Sequence, residues 1–432
     1  MRMNLEPSTI ALIIVGATLV LYVADILPIA LTSIIACLAL AVFGVIPLTS
    51  AFAGFSNDIV FMIAGMMVVG AALFETGAAD VIGKKIVSAV GTNERVFIAA
   101  LMLFSIPFSA FLSNTATASI MLPIAASAIG ASGGRLTKKN TYMPIGIACV
   151  AGGGLTLVSS TPQLIAQGLL RDGGYQTMSF FEIGYTGFPV LALLIVYCMT
   201  IGFSLQRKVF GFPEVADEFP AIPANGADAG KSPEKSVLKM FISIGALVFC
   251  IIGFLAGLWT LGIVSMAGAA ICVATGCISQ KRVFQSMDWT TVILMGCSFG
   301  VAAGLEQSGA GTLIARGIIT LMGDGISPWL LFSALALIAV LLTNFISSTA
   351  TGAILIPIAI FAAADLGFDV KSAAIAVSVA ANIGYATPIS TPPLTMTLTG
   401  GYRFMDYVKV GGLFNLLAYV LVVILFRFVL KT

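Results

Sequence analysis

The sequence predicts an all-α polytopic membrane protein built as two inverted-topology repeats. Each repeat has five spans and one re-entrant helical hairpin that carries a polar tip. Three observations predict it. Of 432 residues, 59% are hydrophobic and only 9% are charged, against about 25% charged in an ordinary soluble domain; the mean hydropathy is +1.07. A polar motif recurs, in the same order, in the two halves of the chain. The number of spans in each half is odd.

The recurrence rests on two pairs of segments. SNTATASIMLPIA (113–125) and SSTATGAILIPIA (347–359) agree at eight of thirteen positions, at an offset of 234. STPQL (160–164) and STPPL (390–394) agree at four of five, at an offset of 230. FETGA (74–78) also resembles EQSGA (306–310). Shared order over such distances argues for an internal repeat rather than chance likeness of apolar sequence. Between the copies, 207–236 is rich in Pro and acidic residues and reads as a cytoplasmic linker. The domains are therefore 1–206, the linker 207–236, and 237–432.

In the first half, apolar runs mark spans at about 8–24, 28–47, 57–76, 141–170 and 187–206. In the second half they mark about 237–256, 260–279, 289–307, 371–400 and 408–430. The run 8–24 reads as a span and not a leader, because no basic n-region or A-x-A site goes with it. The segments 94–131 and 328–364 each have two arms of roughly 16–19 residues around a polar tip, short for a full crossing. A re-entrant hairpin fits better, with its tip held inside protein where irregular backbone is tolerated. Five crossings per half invert the second half relative to the first.

Charge tests this arrangement. With the 77–95 loop in the cytoplasm, fifteen of the 21 Lys and Arg residues fall on that side and six outside, as the positive-inside rule requires. Both termini then lie outside, and the chain is placed in the plasma (inner) membrane. Segments 78–91 and 311–323 are too short and too charged to span, and read as interfacial amphipathic helices.

Composition also excludes. There is no His, no H-E-x-x-H and no pair of carboxylates at metal spacing, so an intramembrane enzyme lacks its base or its metal. A net charge of +2 points to no nucleic-acid partner. The seven Cys lie in apolar segments without a C-x-x-C pair and read as small buried hydrophobes. No organic cofactor is implied. Asp25, Asp58, Glu75, Asp288, Glu306 and Asp365 fall near span ends, where helix-end structure explains them better than proton carriage.

The polar tips need a reason, because an unpartnered polar group in hydrocarbon costs several kcal/mol. Ser113, Asn114 and Thr115 form one tip; Ser347, Ser348 and Thr349 form the other. Thr161-Pro162 and Thr391-Pro392 each sit inside a long fourth span, where Pro removes a helical hydrogen bond. The AGGGLTLVSSTPQ stretch supplies glycines for an unwound turn. Inverted repeats with interrupted helices are the recurrent plan of secondary transporters, in which helix ends face a cavity and bind ions. Inversion brings the four breaks together, and none of them is charged. A single Ser or Thr in a membrane helix is more often bonded to its own backbone; the duplicated tip around Asn114 is what argues for a site.

At these residues the sequence resembles the divalent anion/sodium symporter family of the ion transporter superfamily, over nearly the whole chain. The resemblance implies that Ser113, Asn114 and Thr115 bind one end of an anion and Ser347, Ser348 and Thr349 the other, with Thr161-Pro162 and Thr391-Pro392 completing the pocket. It implies one sodium near Ser109, Ser113, Asn114 and Ser160. A second would sit near Thr343, the Ile346 carbonyl, Ser348 and Ser390. It further implies a homodimer in a lipid bilayer and an elevator motion. The second tip departs from the pattern, with Ser348 where Asn is expected. The function so implied is sodium-coupled symport of a small divalent anion, a C4-dicarboxylate first. A dicarboxylate exchanger and a carrier of sulfate or another oxyanion stay open, and flux kinetics would separate any of them from a channel.

Overall fold

The computed structural model describes residues 6–24, 26–77, 93–132, 134–213, 236–257, 259–322 and 326–430. Among these there are helices, short 3-10 turns and no strands. The first half opens with α1 (Pro7–Ala24), α2 (Ile29–Val42) and α3 (Asp58–Glu75). The arms α4 (Glu94–Phe111) and α5 (Asn114–Ala131) follow, and then the pair α6 (Lys138–Gly152) and α7 (Thr161–Asp172). It closes with α8 (Gly184–Met199) and α9 (Ile201–Val209). The second half runs α10 (Val237–Ala256), α11 (Leu261–Ala274), a short α12 (Gln280–Ser286), α13 (Trp289–Gln307) and α14 (Ala310–Met322). Its arms are α15 (Pro328–Thr343) and α16 (Ser348–Asp365); α17 (Val370–Ala381), α18 (Pro392–Met396) and α19 (Phe404–Val429) complete it.

Helices fall in most of the expected spans and arms, with local differences. The stretch 187–206, read as one span, is bent by 51° between α8 and α9. The bend falls at Thr200, whose φ of −118° and ψ of −97° leave the helical region. The stretch 28–47 is helical only to Val42, and Gly44 then turns the chain with φ +76°. Of segment 311–323, the described residues 311–322 belong to helix α14, while 78–91 and most of the linker lie outside the described residues, as does Asp25. All seven Cys are buried. Most of the acids at helix ends have structural partners. Glu75 ends α3 and pairs with Arg282 at 3.2 Å, and Asp288 caps α13 through Thr291.

Two packing groups position the site. In one, α3 lies along α11 and α2 along α13. The backbones come close there: a β-carbon at Gly65 would lie 2.7 Å from the Ser265 carbonyl oxygen. In the other, each hairpin packs on its own broken helix, α4 and α5 on α6, α15 and α16 on α17. The halves also exchange contacts. Arm α16 of the second packs on α7 of the first, and arm α5 of the first packs on α18 of the second. This crosswise packing carries all four breaks to one place. The helices α3 and α13 run antiparallel between the two groups. Glu75 and Arg282 meet at one end, while Asp58 of α3 and Gln307 of α13 line a common cleft at the other.

Candidate substrate and cation site

Each break leaves backbone groups without helical partners, and side chains take their place. Residues 153–160 and 382–391 carry no α-helix. In the first segment Ser159 Oγ donates to the carbonyls of Gly153 (2.6 Å) and Thr156 (3.0 Å), and Thr156 Oγ1 donates to Ala110 O. In the second, Ser390 Oγ donates to Gly384 O and Thr387 O, and Thr387 Oγ1 donates to Asn344 O at 2.5 Å. The same struts recur residue for residue. They pair Ser159 with Ser390 and Thr156 with Thr387, an offset of 231 in place of the 230 of the STP motif.

The helix starts agree with that register. Ser160 is the N-cap of α7 and Thr391 the N-cap of α18, so Pro162 corresponds to Pro393. Both prolines sit in the first turn, where a missing N–H costs nothing. They open the second piece of each span rather than breaking a continuous helix. The glycines of the first segment also act otherwise than by backbone freedom. Gly153 has φ −59°. Its use is close approach, because a β-carbon there would lie 2.6 Å from Asn114 Nδ2 and 2.8 Å from Asn114 Oδ1.

The four helix starts open on a cavity of about 340 Å³, inside the range of about 300–1,000 Å³ usual for ligand pockets. Ser113, Asn114, Thr115, Thr161, Ser347, Ser348, Thr349, Thr391 and Pro392 line it, as do Ser160 and Ser390. Pro162 is not in the wall; it is buried against Gly352 of α16. Ser109, Thr343 and Ile346 lie behind the wall, fully or almost fully buried. Among the described residues no Lys or Arg lines the cavity, and the one acid, Asp288, lies at an exposed rim with Thr290. The opposite wall is apolar and comes from α3 and α13, through Ile63, Met66, Met67 and Leu294.

Three of the four cap hydroxyls are free of capping duty. Ser113, Ser160 and Thr391 make no side-chain bond to their own helices, while Ser347 caps Ala350 N at 3.1 Å. Thr391 Oγ1 is buried with no hydrogen-bond partner among the described residues. The N–H groups of the first turns of α5 and α7 thus face the cavity without side-chain caps, at the positive ends of helices of 18 and 12 residues. Such ends bind anions without any formal cation.

Behind the tips lie oxygen clusters. Ser109 Oγ lies 2.7 Å from Asn114 Oδ1 and 2.5 Å from Cys149 O. In the second half Thr343 Oγ1 donates to Ala381 O at 2.7 Å, and Ser348 N donates to Ser390 O at 3.3 Å. Three amide residues belong to these clusters and were not singled out by the sequence reading. Asn382 Oδ1 accepts from Ser160 Oγ at 2.5 Å, tying the two unwound segments together. Asn344 accepts from Ala386 N at 3.0 Å and donates to Val340 O at 2.7 Å. Gln163 Nε2 donates to Gly153 O at 3.0 Å. Their signal was an amide inside an apolar run close to a break.

At the end away from the rim, the two packing groups are tied. Arg171 of α7 pairs with Asp58 of α3 at 3.0 Å, and Asn57 Nδ2 donates to Asp172 Oδ2 at 2.8 Å. The cavity is therefore open toward Glu75 and Arg282, and the Asp58 end is bridged.

A family model described as citrate transporter matches residues 11–372 and 325–432. The chain belongs to the citrate transporter family. Its curated relatives are transporters, not enzymes. An uncharacterized transporter of Haemophilus influenzae is 28% identical over 422 residues, covering 93% of this chain and 88% of the relative. The sodium-dependent dicarboxylate transporter SdcS of Staphylococcus saprophyticus is 24% identical, covering 94% and 83%. The sodium-dependent high-affinity dicarboxylate transporter 3 of Caenorhabditis elegans is 25% identical, covering 94% and 80%. These names bear out the resemblance to the sodium-coupled divalent anion carriers. Among solved structures, the YdaH transporter of Alcanivorax borkumensis superposes with TM-score 0.57 at 16% identity, over 98% of both chains. MtrF of Neisseria gonorrhoeae gives 0.56 at 14%, over 98% and 95%. At that identity the likeness concerns the fold. The citrate-transporter chain is thus a multi-pass membrane transporter of small molecules.

Proposed function

We propose that this chain is a secondary active transporter that takes up a small divalent anion, a C4-dicarboxylate first, in symport with sodium. One observation carries the reading: helix starts from both halves open on one polar cavity that has no basic residue among the described residues of its wall. Uncapped N–H groups and the hydroxyls of Ser113, Thr115, Thr161, Ser347, Ser348, Thr349 and Thr391 hold the carboxylates. Asn114 stands between anion and cation, and Pro162 and Pro392 fix the first turns of the helices behind them. Sodium travels as a second substrate among the oxygens behind the tips, where hard cations find the carbonyl and hydroxyl ligands they take. The names of the dicarboxylate relatives support both substrates.

The halves are inverted repeats and the hairpins re-entrant, with the Glu75–Arg282 end cytoplasmic by the distribution of Lys and Arg. The cavity then opens inward. The hairpins and broken helices move as a unit against α2, α3, α11 and α13, an elevator motion, in a homodimer of the plasma membrane with both termini outside. An exchanger is the second reading, and the missing amide at Ser348 favours it, because a weak cation site leaves anion exchange as the remaining cycle.

The test is uptake of radiolabelled succinate into proteoliposomes under an inward sodium gradient, with potassium as control. Sodium-driven accumulation that unlabelled succinate blocks supports symport. Flux only into preloaded vesicles supports exchange, and no succinate flux in either format, from folded protein, moves the substrate to sulfate or another oxyanion.

A further inference from the structure

The span that closes the first half is broken near its basic end. Helix α8 stops at Met199, Thr200 leaves the helical region, and α9 departs at 51°. Helix α9 buries Gly202, Phe203 and Gln206 and exposes Ile201, Ser204, Arg207 and Lys208. A helix so short and two-sided suits the membrane interface. The bend opens a cleft of about 560 Å³ between α8, α9 and the start of α4. Thr200 and Ser204 bring hydroxyls to its wall, Met199 and Ile201 bring apolar surface, and Arg95 and Lys208 bring two cations.

Neither cation is neutralised. Among the described residues no acid lines the cleft, and neither Arg95 nor Lys208 has an acidic partner. Glu94, beside Arg95 in the chain, is spent elsewhere. Its Oε1 accepts from Thr137 N at 3.1 Å, Thr137 Oγ1 at 2.6 Å and Asn140 Nδ2 at 3.1 Å, and its Oε2 accepts from Asn140 Nδ2 at 3.1 Å. The Arg95 guanidinium lies over the Phe203 ring, 4.5 Å from its centre. That contact uses the face of the group and leaves its N–H edges for oxygens. The start of α9 adds donors. Thr200 Oγ1 donates to Val196 O and does not cap the helix, and the N–H groups of Ile201, Gly202 and Phe203 have no partner among the described residues. An anion with several oxygens, of the phosphate kind, suits such a set.

The cleft also heads an apolar path. On α8, Tyr185, Phe188, Ala192 and Val196 are exposed at helical spacing, a stripe that reaches the cleft wall at Met199. On α4, which packs on α8, Val96, Leu103 and Pro107 are exposed beyond Arg95. A free phosphate uses the head of this path and none of its length, whereas a phospholipid uses both.

We propose that the cleft between α4, α8 and α9 is a binding site for an anionic phospholipid. Arg95, Lys208 and the start of α9 hold the headgroup phosphate, and the acyl chains lie along the exposed faces of α8 and α4. The lipid belongs to the leaflet on the cytoplasmic side, as the distribution of Lys and Arg assigns it, where basic pockets between helices hold such headgroups. Lipid binding is read without any flux, so its outcome is separate from the symport reading.

The experiment is equilibrium binding of radiolabelled phosphatidylglycerol to the purified full chain in detergent micelles, with phosphatidylcholine as control. Phosphatidylglycerol should bind about tenfold or more tightly than phosphatidylcholine. Arg95→Gln and Lys208→Gln should each weaken phosphatidylglycerol binding about fivefold and leave phosphatidylcholine unchanged, while Lys208→Arg keeps the preference. Lys281→Gln combined with Lys409→Gln, which removes exposed cations outside the cleft, should also keep it. The unfolding temperature confirms that each variant is folded. Equal binding of the two lipids overturns the proposal. An equal loss in the Lys281 and Lys409 variant overturns it too, since the attraction is then diffuse surface charge. Displacement of the lipid by millimolar inorganic phosphate replaces it with a site for a soluble anion.

Discussion

At the first tip Asn114 offers an amide to Ser109 and lies against the bare α-carbon of Gly153. At the second, Ser348 offers a hydroxyl, and its N–H is held by Ser390 O. Behind these unlike tips the scaffolding is the same: Ser159 and Ser390 brace equivalent carbonyls, and Thr156 and Thr387 each bond the end of the neighbouring hairpin arm. The difference teaches which part of a duplicated site is structural. Any broken helix in an apolar protein must satisfy its loose backbone groups, so both halves keep the struts. The tips are under no such constraint, and only the first carries an amide.

Five substitutions break or sharpen that contrast. The largest effect is expected of Asn114→Ala, which removes the amide proposed to serve both anion and cation; succinate uptake should fall to the level of empty vesicles. Gly153→Ala comes next, since its methyl needs the space of the Asn114 amide, 2.6 Å away. Uptake should drop about tenfold or more, by misplacement of a group in the site, with the fold kept as judged by the unfolding temperature. Thr156→Val and Thr387→Val test the struts. Each leaves a buried carbonyl unpaired and should cost about 1–3 kcal/mol, in thermal unfolding, to a similar extent in the two halves. Unequal losses would mean the halves differ in support as well as in ligands. Arg171→Ala should be smallest in stability, about 0–1 kcal/mol for an ion pair whose Arg is half exposed. Its readout is thiol labelling of a cysteine placed at Gln307, which should become more reactive as the Asp58 end loosens.

Much of this was legible in the sequence. Hydropathy announces the apolar helices, and the repeated tips announce the helix breaks, because Ser-Asn-Thr is out of place in an apolar run. The residues that complete the clusters were not legible. Asn344, Asn382 and Gln163 lie near breaks, but nothing local tells an amide that bonds a distant carbonyl from one that faces a neighbouring helix. The register of the fourth-span breaks was misleading for a definite reason. The second half has Pro at both 392 and 393, so matching STP to STP slides the alignment by one residue, while the hydrogen bonds pair Ser159 with Ser390. The bend at Thr200 has no Pro to mark it.

The central claim is that one cavity, walled by both halves, holds anion and cation together. Linkage makes it measurable, since sodium must then raise the affinity for the anion and the anion that for sodium by the same factor. Succinate binding to the purified protein by calorimetry, in sodium and then in potassium at equal ionic strength, tests this most directly. About a tenfold or larger gain in affinity in sodium, lost in Asn114→Ala, is the result expected. Equal succinate affinity in the two salts would contradict it.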